Sequence, residues 1–299
     1  MALSADRWSE IWQFFVYDTV KIFVLLTVIV FIVTFLRSYL PPQRIKTLLT
    51  HRFPLVGYFL AASIGVVTPF CSCSAIPLFL GLVESGVPLG VTFSYLVSAP
   101  MVNEVAAVLL LGLFGWKAMM LYIGSGVLLA VITGFILGQL HLEHLLILTE
   151  TRSAASAATV PSTRERLERA GRYTRNLLRN IFPYVLLGVG AGAFIHGYAP
   201  ANLLAQIAGR GNPFAVPIAV LIGVPLYSNA AGTIPIVQSL IEKGLPMGTA
   251  LAFMMAITAL SVPEMIILRR VMKTKLLALY VTILSVGIIF TGYLFNVVL

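Results

Sequence analysis

The sequence TPFCSCSAIP, residues 68–77, interrupts a hydrophobic segment where a membrane helix would otherwise continue. It contains Pro69 and Pro77 and the only two cysteines of the chain, Cys71 and Cys73. Backbone that is not helical is tolerated at membrane depth only where it is buried in protein or lines a cavity. The segment therefore predicts a broken hairpin inside a membrane protein, with two thiols available to a ligand that binds sulfur.

The composition predicts an all-α polytopic membrane protein. Hydrophobic residues make up 59% of the 299 residues and charged residues 10%, whereas soluble domains carry roughly 25% charged residues. Six apolar runs are long enough, or nearly so, to cross a bilayer as helices: 19–40, 88–112, 116–138, 180–199, 246–268 and 275–298. The net charge of +9 does not indicate a nucleic-acid partner, because the basic residues lie in short loops without a recognition signature.

A second interruption, PLYSNAAGTIP at residues 225–235, matches the first. A shift of 158 residues lays 76–90 over 234–248 with seven identities in fifteen positions, which indicates an internal duplication. Four prolines are predicted to shape the two breaks: Pro69, Pro77, Pro225 and Pro235. A duplication that now serves only as scaffold is the alternative.

The distribution of lysine and arginine predicts the orientation of the halves. Placing the loops near 37–52, 152–179 and 269–275 in the cytoplasm puts 15 of the 20 basic residues on that side. The hairpin 53–85 then enters from the cytoplasm and the hairpin 213–243 from outside. This arrangement is an inverted repeat of six full spans and two opposed broken-helix hairpins, whose tips meet at midplane, where transporters of this kind bind substrate.

Three regions follow from this arrangement. Residues 1–140 form a first repeat with an N-terminal interfacial helix, 141–179 a basic cytoplasmic linker and surface helix, and 180–299 the second, inverted repeat. Ser162 and Glu165 fit a capping box at the start of the surface helix. The expected location is the cell inner membrane, where the lipid bilayer surrounds a multi-pass chain.

The two hairpin tips supply the candidate substrate ligands. Ser74 is positioned to cap a half-helix that begins near Ala75, and the positive end of that helix would attract anionic groups. The second tip has hydroxyl and amide groups in place of thiols. The predicted substrate-binding residues are Cys71, Cys73, Ser74, Asn103, Tyr227, Ser228, Asn229 and Thr233. Buried cysteines that act as small hydrophobic residues are the alternative for the thiols.

Two glutamates are candidates for proton coupling. Glu104 follows Asn103 inside the run 88–112, and an unpaired carboxylate at that depth is expected to face the interior and bind protons. Glu264 follows Pro263 near the cytoplasmic end, where ion pairing with Arg269 or a helix-end role is an equal alternative.

Several other kinds of chemistry lack a sequence signature. The histidines and cysteines do not have the spacing of a zinc site, and the chain has no Walker sequence. We therefore expect no catalytic residues, no metal and no cofactor. Gly124, Gly126, Gly134 and Gly138 lie in one span and predict close packing between helices.

Four segments together resemble a predicted permease family, the one that includes the ArsP organoarsenical-efflux permeases. They are TPFCSCSAIPLFLGL, SAPMVNEVA, GVPLYSNAAGTIPI and SVPEMIILRR, and the resemblance extends over residues 20–298. It implies a membrane permease that exports trivalent organoarsenicals. The implied functional positions are Cys71, Cys73, Ser74, Pro77, Pro100, Asn103, Glu104, Asn229, Pro235, Pro263 and Glu264.

The sequence thus predicts a permease that exports a small soft solute, with trivalent organoarsenicals as the expected substrate class. Transport of a sulfur-containing or other small anion is the first alternative. A membrane thiol oxidoreductase that uses Cys71 and Cys73 as a redox pair is a less favoured one, because the usual C-x-x-C spacing is absent. The partner is a small-molecule substrate, and a homo-oligomer or a second permease subunit remains open.

Overall fold

A computed structural model of the chain is helical throughout its described part, and none of the described residues lies in a β-strand. The structure describes residues 54–68, 72–84, 86–147, 162–198, 212–226, 230–269 and 271–299, with scattered helical positions between 12 and 35. The all-α prediction is therefore confirmed for this part of the chain. Most of the predicted first span, 19–40, lies outside it.

The described helices form two groups separated by a long helix. The first group is α1 (Pro54–Val67), α2 (Ser72–Glu84), α3 (Leu89–Met101) and α4 (Glu104–Gln139). A 3₁₀ turn (Glu143–Leu145) and α5 (Thr163–Tyr198) follow. The second group is α6 (Ala215–Gly223), α7 (Ala230–Glu242), α8 (Met247–Ala259), α9 (Val262–Leu268) and α10 (Thr274–Val298).

The two groups share helix boundaries when one is shifted by 158 residues. This shift lays α2 on α7 and α3 on α8 at both ends. Helix α4 bends at Gly115, whose φ of 81° is a conformation that glycine adopts at little cost. The bend divides α4 into two parts, of which the first begins at the position of α9 and the second at that of α10.

The turns after α2 and α7 have the same hydrogen bonds. Gly86 and Gly244 both have positive φ, and their N–H groups donate to Val83 and Ile241. The next residues, Val87 and Leu245, donate to Leu82 and Leu240 at 3.1 and 3.0 Å. Both turns are Schellman motifs, in which glycine ends the helix. Pro88 and Pro246 then start α3 and α8 with nearly equal φ and ψ.

Glycines allow close helix crossings at equivalent places in both groups. A Cβ atom on Gly134 would lie 2.5 Å from the carbonyl oxygen of Gly90, and one on Gly248 would lie 2.5 Å from that of Gly292. Gly90 and Gly134 correspond to Gly248 and Gly292 under the shift of 158 residues. Small residues let backbones approach in this way.

The four glycines predicted to pack closely in α4 differ in their surroundings. Added Cβ atoms on Gly126, Gly134 and Gly138 would overlap neighbouring atoms, whereas nothing lies within 4 Å of one on Gly124. The packing prediction is therefore confirmed for three of the four, and it is wrong for Gly124, which faces away from the other described helices.

The centre of the fold is formed by α3 and α8, which are buried over almost their whole lengths and pack against each other. Other helices also contact each other across the two groups: α2 packs on α9, and α7 packs on α4. Helix α4 contacts α10. A Cβ atom on Gly287 of α10 would overlap Leu129 of α4, the residue that the shift of 158 residues pairs with Gly287. The contacts between the groups are therefore reciprocal.

Hydrogen bonds show that α4 and α10 run in opposite directions. Just beyond the end of α4, the N–H of Ile147 donates to Val271 at 2.7 Å, and that of Lys273, before the start of α10, donates to Leu145 at 2.8 Å. At the other end, the Lys117 ammonium donates to the carbonyl of Val298 at 2.9 Å. The end of α4 thus lies near the start of α10, and the end of α10 lies beside the start of the second part of α4, after the bend at Gly115.

Three helical segments of the described chain are long and apolar enough to cross a membrane: Ala106–Gln139, Met247–Ile266 and Thr274–Val298. The expectation of an unbroken span over 88–112 is wrong, because the chain leaves the helix at Val102 and Asn103. The predicted span 246–268 is likewise interrupted. Its segment Met247–Ile266 is long and apolar enough to cross, but it consists of α8 and the start of α9, which are separated at Leu260 and Ser261. Pro100 has no N–H to extend the ladder of α3, and Asn103 begins a new helix.

Helix α5 joins the basic surface segment to the following apolar run. The predicted capping box is confirmed: the N–H of Ser162 donates to Glu165 Oε2 at 3.2 Å, and that of Glu165 donates to Ser162 Oγ at 3.3 Å. The surface helix is not separate from the span, however, since one helix of 36 residues continues through Pro183 to Tyr198.

Candidate functional site

The cysteine segment lies at the start of α2. Cys71 and Pro69 fall outside the described residues, while Cys73 and Ser74 belong to the first turn of α2. The prediction that Ser74 caps a helix beginning near Ala75 is wrong, because the helix begins three residues earlier, at Ser72. Pro77 lies within the helix and has no N–H to donate to the carbonyl of Cys73, so the helical ladder is weakened beside this thiol.

The second tip is also shorter than predicted. Tyr227, Ser228 and Asn229 lie outside the described residues, and α7 begins directly after them at Ala230. Thr233 belongs to the first turns of α7 and is fully buried. Pro225 is exposed and precedes the tip, whereas Pro235 lies inside α7 and, like Pro77, does not interrupt its helix.

Asn103 has a capping role in the structure. Its side-chain oxygen accepts a hydrogen bond from the N–H of Ala106 at 2.7 Å, at the N-cap position of α4. This bond satisfies one of the helix donors that otherwise lack a partner. The sequence analysis proposed Asn103 as a substrate ligand and missed this cap, although asparagine before a helical run is an ordinary cap signal.

The two candidate glutamates occupy opposite environments. Glu104, expected to face the interior, is exposed, so that expectation is wrong for the position of its side chain. Glu264 is 1% exposed, and neither of its carboxyl oxygens has a hydrogen-bond partner. Arg269 is exposed, and the structure contains no ion pair between it and Glu264. The ion-pair alternative for Glu264 is therefore contradicted.

Two residues beside Glu264 were missed by the sequence analysis. Ser261 and Tyr280 are each 1% exposed, and their hydroxyl groups have no hydrogen-bond partner in the described structure. Tyr280 is close enough to Glu264 for the two groups to interact electrostatically. The sequence does hold a signal for Tyr280, since the shift of 158 residues pairs it with Tyr122.

The packing of α2 on α9 brings two of the candidate elements together. Helix α2 begins at the cysteine segment, and α9 carries Glu264. Asn103 and Glu104 lie at the start of α4, which contacts α7, the helix of the second tip. Helices α2 and α7, which follow the two tips, therefore each contact a helix of the other group: α2 contacts α9, and α7 contacts α4. Among the described residues, no three histidine, cysteine, aspartate or glutamate side chains come together as a metal site.

The chain is similar in sequence to several known proteins. The model of the ArsP_1 family, described as "Predicted permease", matches residues 7–297. A UPF0718 protein of Methanocaldococcus jannaschii is 23% identical over 82% of this chain and 83% of its own length. The UPF0718 protein YraQ of Escherichia coli is 24% identical over 83% of this chain and 69% of its own length.

A third relative bears a more specific name. A "putative two-component membrane permease complex subunit" of Streptococcus mutans is 20% identical over 85% of this chain and 81% of its own length. No solved structure matches the chain. Since the family match extends over nearly the whole sequence, the resemblance noted from the cysteine segment is confirmed, and the chain belongs to the ArsP_1 family of predicted permeases, a class of membrane transporters.

Proposed function

We propose that this permease exports a small soft solute from the cell, with trivalent organoarsenicals as the substrate class, through the inner membrane. The observation that carries the proposal is the packing of α2, which begins at the thiols, on α9, which contains a buried carboxyl group. A soft ligand site and a titratable group on helices in contact are the two parts that a coupled exporter needs.

The proposed architecture is an inverted repeat. The helix pair α4 and α10 favours it, because the second part of α4 and α10 are equivalent under the shift and run in opposite directions. A two-fold axis that relates antiparallel membrane helices lies in the membrane plane. The contact of Leu129 with its counterpart Gly287 is what such an axis produces, since residues on it meet their own equivalents.

The proposed site lies between the two hairpin tips. Its ligands are Cys71, Cys73 and Ser74 on one side and Tyr227, Ser228, Asn229 and Thr233 on the other, with Asn103 nearby. Trivalent arsenic bonds to thiolates, but a carrier has to release what it binds. Turnover is easier to reconcile with one transient thiol bond, or with exchange between Cys71 and Cys73, than with two lasting bonds. Glu264 is the proposed proton-coupling residue, because Glu104, the other candidate at the start of α4, is exposed.

Export by cells tests the thiol proposal. We expect the double variant Cys71→Ser, Cys73→Ser to lose methylarsenite resistance and export in a strain that lacks its own arsenical exporters. Ser72→Ala is the matched control, because it lies between the thiols and leaves both in place. If the double variant exports methylarsenite at the wild-type rate, thiol recognition is wrong. Uptake of thiosulfate or another small anion by the same variant would favour the anion alternative.

A second proposal follows from the name of the Streptococcus mutans relative. That protein is described as a subunit of a two-component permease complex. We propose that this chain likewise works with a second membrane subunit. Affinity purification from its native membrane, followed by measurement of subunit stoichiometry, tests this. A fixed ratio to one other protein supports a two-component complex, whereas transport by the purified chain alone in liposomes contradicts it.

A further inference from the structure

Three buried polar side chains lie beside the break between α8 and α9 and lack hydrogen-bond partners. They are Ser261 and Glu264, at the break, and Tyr280 on α10, each only 1% exposed. Burying a polar group without a partner is unfavourable, and burying an isolated charge is far more so. A ligand that supplied the missing interactions at this cluster would remove that cost.

The backbone at the break adds a further oxygen. The N–H of Val262 donates to the carbonyl of Val224 on the neighbouring segment, at 3.2 Å. It therefore does not donate to the carbonyl of Thr258, four residues earlier, as it would in a continuous helix. Carbonyl oxygens released at a helix break are the groups that bind coupling ions in transporters built from discontinuous helices.

This cluster is present in only one of the two helix groups. Under the shift of 158 residues, Tyr280 corresponds to Tyr122, but Glu264 corresponds to the buried Ala106. The thiol of Cys73 is likewise confined to one group, since its counterpart is Ala231. Cys73 lies on α2 and Glu264 on α9, and these two helices contact each other. The equivalent helices, α7 and α4, also contact each other but have alanine at both positions.

We propose that Glu264, Ser261 and Tyr280 form a binding site for one monovalent cation, either a proton or Na⁺. Either cation neutralises the carboxylate. A proton binds one carboxyl oxygen, whereas Na⁺ would take the two hydroxyl groups and the carbonyl of Thr258 as further oxygen ligands. This inference deepens the proposed coupling and rests on it for a role in transport. It adds Ser261 and Tyr280 to Glu264, the proposed coupling carboxyl group.

The neighbouring helices bear other titratable groups. Helix α2 contributes Cys73 and Glu84, and α10 contributes Lys275 and Tyr293. Helix α5 contributes Arg164, Glu165, Arg166, Glu168, Arg169, Arg172, Tyr173, Arg175, Arg179, Tyr184, His196 and Tyr198. None of the described side chains donates a hydrogen bond to Glu264. The carboxyl group thus has no described competitor for the proposed cation.

Aromatic contacts connect the cluster to the hairpin helix. The ring of Tyr280 lies 5.5 Å from that of Phe93 on α3, which lies 5.3 Å from that of Phe79 on α2. All three rings are buried. Packing through Phe93 therefore connects Tyr280 to Phe79 on α2, the helix that follows the cysteine segment.

Two measurements on the purified full-length protein test the site without any arsenical. Infrared difference spectra recorded between acidic and alkaline pH detect the C=O band of a protonated carboxyl group. Thermal unfolding in NaCl against choline chloride at equal ionic strength detects Na⁺ binding. The variants are Glu264→Gln and Tyr280→Phe, with Glu143→Gln as the control because Glu143 is exposed in the 3₁₀ turn.

A proton site gives a titrating carboxyl band that Glu264→Gln lacks and Glu143→Gln keeps. An Na⁺ site gives a sodium-dependent rise in Tm that follows the same pattern. We expect Tyr280→Phe to move the carboxyl band to higher frequency, or to raise the half-saturating Na⁺ concentration about tenfold, because the occupied site loses the polar contact that the Tyr280 hydroxyl is proposed to make there. The proposal is overturned if wild type and Glu264→Gln give the same spectra and the same sodium response. Loss of arsenical export with these signals intact would instead refute the substrate assignment.

Discussion

At the scale of single residues, burial separates groups that the sequence makes look alike. Glu104 and Glu264 both follow a residue that commonly begins helices, and both lie in apolar runs. Their positions in the helix differ by two residues, which is more than half a turn: Glu104 is the first residue of α4 and is exposed, whereas Glu264 is the third residue of α9 and is buried. Hydrophobic runs show that a carboxyl group is at membrane depth but not which way it faces, since the helix break that sets its direction was not predicted.

Asn103 provides a prediction at this scale. Its side chain caps α4 through Ala106, so Asn103→Ala should lower the free energy of unfolding by about 1 kcal/mol. Asn103→Asp keeps an acceptor at the same place and should retain most of the stability. The Tm of the purified variants in detergent measures both effects. If Asn103→Ala keeps the wild-type Tm but loses transport, Asn103 acts as a substrate ligand, as the sequence analysis proposed.

At the scale of helices, the prolines and glycines have different effects from those expected. Pro77 and Pro235 were predicted to shape the two breaks, yet both lie inside helices, α2 and α7. Proline is compatible with the first turns of a helix, where several N–H groups have no intrahelical acceptor. Proline alone therefore did not predict where the described helices α2 and α7 begin.

Glycine packing gives a prediction with an internal control. Gly134→Ala should cost roughly 1–3 kcal/mol, because its Cβ would overlap Ser94 and lie 2.5 Å from the carbonyl of Gly90. Gly124→Ala, in the same helix, meets nothing within 4 Å and should be neutral or slightly stabilising. Thermal unfolding of the two variants in detergent makes the comparison. Equal Tm values would contradict the close crossing of α3 and α4.

At the scale of the whole molecule, the repeat detected in fifteen residues extends much further than the sequence comparison showed. The segment 76–90 carries the identities because it contains a Schellman turn and a proline restart, both of which restrict residue choice. Elsewhere the two groups keep helix boundaries while most residues differ, since an apolar helix face tolerates many side chains. Composition and a local repeat therefore predicted the helical class, while side-chain direction and the contact of α2 with α9 required the structure.

Chemical labelling tests the proposed inversion. Glu84 and Glu242 end equivalent helices, α2 and α7, and the inverted repeat places them on opposite sides of the membrane. In a chain without its native cysteines, Glu84→Cys should react with an impermeant maleimide only from the cytoplasmic side, and Glu242→Cys only from outside. Glu143→Cys serves as a cytoplasmic reference. Labelling of both test positions from the same side would refute the inversion.

The contact of α2 with α9 has an energetic consequence for a transporter with this symmetry. Two identical halves that exchange conformations would give inward-open and outward-open states of equal free energy. Here one contact carries a thiol-bearing helix and a buried carboxyl group, and its counterpart carries alanines at the positions of Cys73 and Glu264. In the proposed inverted repeat, the two states would therefore differ in free energy, and the charge on Glu264 would contribute to that difference.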